Sequence, residues 1–214
     1  MADLREGRAP RRGVALTRRL LIVGAGGHGR SVAEAVAAAG DFVVAGFLDD
    51  AFPELDRVWA FPVLGKVAEL ARFREAADRA FVAIGNNTMR RRVTTELRDA
   101  GFVLPTIIHP RAIVSPTASI GAGSAVMAGA VVGTEAVLGE GAIVNCAAVV
   151  DHHCRVGDFG HLGVNAAMAG GSVLGAGAWM QAGSALGYGV EVEEGRVLIP
   201  GEALGGSRGH LTGQ

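Results

Sequence analysis

From Ile108 onward the chain repeats in steps of six. Ile108, Val114, Ile120 and Val126 begin a series that runs through Leu186 to Val192, and all fifteen positions are aliphatic or Met. Four residues after most of these stands a small residue, such as Ala112, Ala118, Ser124, Ala130, Cys154 or Ser172. Gly often follows the aliphatic position, as in Ile120-Gly121 and Leu138-Gly139. This pattern predicts a triangular solenoid. Six residues form one face, three faces form one coil, the aliphatic side chain points inward and the small residue fits the corner. One coil cannot bury its own interior, but a stack can. Fifteen hexads give five coils, a prism of about 24 Å at the usual strand spacing. The small-residue rule weakens at Val190 and Arg196, so the repeat is expected to end near 197.

The first half has a different rhythm. RLLIVG (19–24), FVVAGFLDD (42–50) and FVAIGNN (81–87) are short apolar runs that read as strands. Between and after them, Val32, Ala35, Val36 and Ala39 recur at helical spacing, and 66–79 and 88–101 also read as helices. Strands alternating with helices predict a parallel sheet covered by helices. The expected division is an extension over 1–17, read as disordered, a Rossmann-like α/β unit over 18–106, a parallel β-helix over 107–197 and a tail over 198–214.

Glycines at 24, 26, 27 and 29 surround His28 at the first strand-to-helix turn. Such a turn lets backbone approach a ligand, and the helix N-terminus favours anionic groups. Asp49 and Asp50 end the second strand, and Gly85-Asn86-Asn87 ends the third, at the same edge of the sheet. Parallel sheets bind ligands at this carboxyl edge, where carboxylates accept hydrogen bonds from ribose. The expected ligand is a nucleotide, either a redox cofactor or a nucleotide-linked substrate. His28 is either a contact to it or a first-turn residue packed on the sheet.

Composition narrows the picture. Half of the residues are hydrophobic but only 5% are aromatic, and 33 are Gly, which suits stacked regular layers. The formal charge of -1 gives no basic surface for nucleic acid or acidic lipid. No apolar run approaches the roughly 20 residues needed to span a bilayer. Residues 1–13 are polar and do not resemble a secretory signal, so the expected location is cytoplasmic. Two cysteines form no disulfide framework, and Cys154 reads as a buried corner thiol.

One polar stretch interrupts the repeat: Asp151-His152-His153, followed nine residues after His152 by His161. A neutral imidazole is a suitable general base near pH 7 and can take a proton from an amine or hydroxyl attacking a thioester. Asp151 is a candidate to hold the imidazole in its productive tautomer. Histidines also suggest zinc. Adjacent residues of a strand point to opposite faces, so His152 and His153 are not expected to share an ion, and no metal is expected.

These stretches together resemble the bacterial NeuD/PglD-like sugar acetyltransferases. The resemblance rests on IVGAGGHG (22–29), FLDD (47–50), AIGNN with Arg90 (83–90), IIHPRAIVSPTASIG (107–121) and VVDHHCRVGDFGHLGVNAAMAG (149–170). It implies a left-handed β-helix, a homotrimer with sites between prisms, and acetyl-CoA as co-substrate. It implies a nucleotide-linked 4-amino-4,6-dideoxy sugar held through Gly26, Gly27, His28, Asp49, Asp50 and Gly85. On the matching motif His152 is the base, and His161, Gly170 and Ala182 fall at acetyl-CoA contacts. Two features depart from the family. His153 stands where an acid usually follows the base, and RVLIPGEALGG (196–206) replaces the usual ending. A sialic-acid-type O-acetyltransferase and a weakened nucleotide-sugar-binding scaffold are the alternatives.

Overall fold

In the computed structural model, residues 18–205 are described. The α/β unit opens with β1 (Arg19–Val23), α1 (Gly27–Ala39) and β2 (Val43–Leu48). It continues with β3 (Arg57–Val58), β4 (Phe61–Gly65), a 3-10 segment (Val67–Phe73), β5 (Arg79–Val82) and α2 (Asn87–Asp99). The sheet order is β3-β4-β2-β1-β5. All its pairings are parallel except the antiparallel edge pair β3–β4. β3 and β4 escape the hydrophobic pattern because β3 has two residues and β4 contains Pro62. The apolar stripe of α1, with Val32, Ala35 and Val36 buried, packs on one face of the sheet. Val93 and Leu97 of α2 pack on the other.

Seventeen two-residue strands follow, from β6 (Ile107–Ile108) to β22 (Ala203–Leu204), and stack as three parallel sheets of a left-handed β-helix. In each strand the second residue is the six-step position. Val126, Val144, Val150, Leu162, Leu174 and Met180 are all fully or almost fully buried inside the prism. Burying each such side chain contributes about 1.5–3 kcal/mol. Coil stacks on coil with an eighteen-residue register, as in Val131↔Val149↔Ala167. Cys154 is fully buried at a corner, its Sγ 3.2 Å from the Ala169 carbonyl oxygen.

The prism runs two hexads beyond Val192, through residues expected to form a tail. Val197–Leu198 and Ala203–Leu204 are strands, with Leu198 fully buried. The corner positions there carry Arg196 and Glu202 instead of small residues, and the two side chains pair at 3.5 Å. The expected extension over 1–17 and the end of the expected tail lie outside the described residues. No described helix is long and apolar enough to cross a membrane.

The three faces of the prism differ in their outward residues. One face presents Ile107, Ala125, Ile143 and His161, all buried because the α/β unit covers them. Ile107, Ala125 and Met127 join the same core as Val32 and Val36 of α1. A second face presents Ile113, Val131, Val149, Ala167, Ala185 and Ala203, an aliphatic stripe without a charge and not covered by the α/β unit. The third mixes Ser119, Val137, Arg155, Val173 and Glu191.

Candidate active site

At the Gly-rich turn, two glycines are required by packing. A Cβ on Gly29 would sit 1.9 Å from the Gly24 carbonyl oxygen, and Gly24 itself has φ +104° with Ala83 pressed against it. Gly26, Gly27 and Gly85 are different, because a Cβ on any of them would meet nothing within 4 Å. These three leave backbone open to a ligand. Asp49 braces the turn: its Oδ2 accepts from the Ala25 N–H at 2.7 Å and its Oδ1 from Ala51 N–H at 2.9 Å. Asp50 accepts from the Val67 N–H at 3.0 Å, so it supports the start of the 3-10 segment.

The paired asparagines after β5 divide their work. Asn86 caps α2, its side chain accepting from the Met89 N–H at 2.9 Å. Asn87 reaches the prism and donates to the Gly177 carbonyl oxygen at 2.8 Å. Beside them lies a cleft of about 360 Å³ between the start of α2 and the covered face, lined by Thr88, Arg91, Trp179 and Glu194 among others.

Arg90, which residue type alone did not mark as functional, is 1% exposed at this junction. It donates to Gly141 and Phe159 carbonyl oxygens of the prism, each at 2.8 Å. It also donates to the Ile84 and Gly85 carbonyl oxygens at 3.0 and 3.1 Å, and to Asn87 Oδ1 at 2.9 Å. Burial lowers its pKa to about 10, which leaves it a cation at neutral pH.

His28 and His161 share this junction. Burial, and then the Arg90 charge, lowers the His28 pKa to about 4. Burial, then Arg90 and then His28, lowers that of His161 to about 3. The Gly85 backbone acts in the opposite direction on His161 without reaching hydrogen-bond geometry. Both rings are therefore neutral near pH 7. His161 stacks on Trp179 with centroids 5.3 Å apart and planes 12° apart, as the eighteen-residue register implies. His28 Nε2, both His161 ring nitrogens and Trp179 Nε1 are buried without a hydrogen-bond partner. Four unpartnered polar atoms in one junction are costly unless something polar meets them.

Asp151-His152-His153 occupies a corner, between the strands Val149–Val150 and Arg155–Val156, and not a flat strand. The expectation that its two histidines point apart is therefore corrected. On the turn His153 adopts φ +59°, and the two Nδ1 atoms approach to 2.9 Å with the rings edge to face. Asp151 Oδ1 accepts from the His152 backbone N–H at 2.7 Å, while its Oδ2 stands 3.7 Å from His152 Nε2. Asp151 thus bonds the backbone and leaves the ring without a direct hydrogen bond from it. Among the described residues, no group of three or more His, Cys, Asp or Glu is placed to hold a metal ion.

Gly170 lies one coil beyond His152 on the same corner. A Cβ there would fall 2.4 Å from His152 Cε1 and 2.5 Å from Nε2, so the missing side chain makes room for the imidazole. Ala182 is exposed two corners further along the chain, at the other edge of the aliphatic face. Within one chain, His161 is separate from both, on the covered face.

The comparisons fit this two-part architecture. Residues 19–97 match the family described as the PglD N-terminal domain. Among solved structures, PerB from Caulobacter crescentus, in complex with CoA and GDP-perosamine, is 37% identical. That match covers 90% of this chain and 93% of PerB, with a TM-score of 0.77. The acetyltransferase domain of PglB from Neisseria gonorrhoeae FA1090 is 40% identical, covering 90% of this chain and 98% of that domain, with a TM-score of 0.69. A UDP-N-acetylbacillosamine N-acetyltransferase of Bacillus subtilis (strain 168) is 37% identical over 97 residues. That match spans 44% of this chain and 44% of the Bacillus protein, under half the length of each. With an α/β unit, a left-handed hexapeptide prism and relatives matched over nearly their whole length, the chain belongs to the PglD/NeuD-like family of sugar N-acetyltransferases.

Proposed function

We propose that this protein is an acetyl-CoA-dependent N-acetyltransferase acting on the amine of a nucleotide-linked 4-amino-4,6-dideoxy sugar in the cytoplasm, with His152 as general base. The observation that carries the reading is the His152 imidazole laid over Gly170 on an exposed corner, in a chain whose relative binds CoA and GDP-perosamine. The amine nitrogen attacks the thioester carbonyl carbon and gives its proton to His152 Nε2. An N–C bond forms, and the oxyanion is met by backbone N–H groups. The C–S bond then breaks, and the CoA thiolate takes the proton from the imidazolium. Asp151, 3.7 Å from Nε2, stabilises that cation while it lasts.

In this reading the open turn at Gly26, Gly27 and Gly85 receives the nucleotide, with His28 beside it. Asp49 and Asp50 act by shaping the walls. Acetyl-CoA lies along the prism near Gly170 and Ala182. His161 contributes from the junction, through the unpartnered nitrogens it shares with His28 and Trp179. A site using both His152 and His161 needs two copies of the chain, since one copy holds them on different sides of its prism. The uncharged aliphatic face, bounded by the His152 and Ala182 corners, is a suitable surface for that packing, and it supports a homotrimer. Release of free CoA with GDP-, UDP- and dTDP-linked 4-amino sugars tests the reaction. Turnover that survives His152→Ala would remove His152 as the base.

A further inference from the structure

The position after the base carries His153 instead of an acid, and the corner supplies the acid from elsewhere. Glu135 lies eighteen residues before His153, one coil away on the same corner. Its Oε2 is 3.1 Å from His153 Nε2. His153 Nδ1 in turn is 2.9 Å from His152 Nδ1. Both Glu135 and His153 hold left-handed backbone, φ +56° and +59°, at a position that the next two coils fill with Gly171 and Gly189. A non-Gly residue in that region costs about 1–2 kcal/mol. Ala147, Phe159 and Asn165 hold the same backbone on other corners, so it is the contact between the Glu135 and His153 side chains, and not the strain, that distinguishes this one.

We propose that Glu135, acting through His153, fixes the tautomer of His152, so that Nδ1 carries the proton and Nε2 is free to act as base. The direction follows from the chain of contacts. A carboxylate is acceptor-only, so His153 Nε2 carries a proton and donates to Glu135. Neutral His153 then has a bare Nδ1, which accepts from His152 Nδ1–H. The reverse arrangement would set a bare His153 nitrogen 3.1 Å from the Glu135 carboxylate, closer than Asp151 Oδ2 stands to the bare His152 Nε2 at 3.7 Å. When His152 takes the substrate proton at Nε2, its Nδ1–H stays in place and the relay stabilises the imidazolium. Glu135 and His153 are positioning residues, and the inference rests on His152 being the base.

Glu135→Gly tests it well, because glycine relieves the left-handed strain and protects the fold. The melting temperature is expected to hold or rise. The kcat is expected to fall roughly tenfold or more with the acceptor KM within about twofold. Long-range ¹⁵N–¹H spectra of ¹⁵N-histidine-labelled protein are expected to show His152 as the Nδ1–H tautomer in the natural protein and as Nε2–H, the form free histidine prefers, in the variant. Glu135→Asp, which keeps a carboxylate, is expected to recover part of the lost kcat. An unchanged His152 tautomer in Glu135→Gly overturns the relay, whatever happens to the rate. If His152→Ala keeps turnover, the base reading fails instead, and the spectra still decide whether Glu135 sets the tautomer.

Discussion

Truncating Arg90 to Ala removes one side chain and five hydrogen bonds at once. Two of those bonds tie the α/β unit to the prism through the Gly141 and Phe159 carbonyl oxygens. Taken singly, hydrogen bonds to a charged group contribute about 1.5–3 kcal/mol. They do not add, and burial opposes them. A pKa drop from 12.5 to about 10 corresponds to about 3 kcal/mol against the cation. The variant leaves buried carbonyl oxygens without a donor and a cavity where a long side chain lay. The expected net loss is about 3–5 kcal/mol. Arg90→Lys keeps the charge but offers three donors for five acceptors, and is expected to lose about 1–3 kcal/mol. Urea unfolding followed by tryptophan fluorescence measures both. Trp179 reports the junction, while Trp59, the other tryptophan, is 47% exposed. Arg90→Ala within about 1 kcal/mol of the natural protein would refute the view that this side chain clamps the two units together.

Stability should fall in mild acid. His28 and His161 titrate near 6.5 when unfolded but at about 4 and about 3 when folded. The unfolded chain therefore binds more protons, and stability rises with pH through this window. It is complete above about pH 7 and declines from about 6.5 down to about 3, by up to roughly 3 kcal/mol per pH unit where both contribute. Urea midpoints at pH 7, 6 and 5 check this, and His161→Gln should flatten the slope; a pH-independent midpoint would contradict it. Gly170→Ala forces a Cβ into the imidazole of His152, whose side chain is half exposed and can swing away. Thermal melting should therefore change little, while kcat drops roughly tenfold or more. A variant with normal kcat would show that the ring position over Gly170 is unimportant. In thiol titration of the folded protein, fully buried Cys154 should stay unreactive until unfolding, whereas half-buried Cys146 should react first.

The prism was legible because a solenoid repeats one local solution, so its period survives in the sequence. Its end was harder to read. Arg196 and Glu202 break the small-corner rule in the last described coil, yet Leu198 and Leu204 keep the six-residue step. In the α/β unit, β1, β2 and β5 stand out by their apolar runs, while β3 has only two residues and β4, which lies between β3 and β2, has its apolar run broken by Pro62. The glycine turn and the Asp151-His152-His153 corner were visible as departures from pattern. The partnerships were not. Arg90 looks like any exposed helix arginine until the prism closes over α2. Glu135 looks like a surface acid until the eighteen-residue register sets it beside His153. That register was available in the sequence, and stepping back by eighteen from His153 would have found Glu135. Reading 151–154 as strand hid it, because a strand sends adjacent side chains apart and a turn lets them meet.

The most direct test of the account is steady-state release of free CoA from acetyl-CoA, with GDP-, UDP- and dTDP-linked 4-amino-4,6-dideoxy sugars as acceptors, for the natural protein and for His152→Ala. The expected result is turnover with at least one of these amines, an N-acetylated product, and a loss of at least a hundredfold in kcat on His152→Ala. Tight binding of a nucleotide sugar with no CoA release from any acceptor would contradict it, and would identify the chain as a binding scaffold on an acetyltransferase fold.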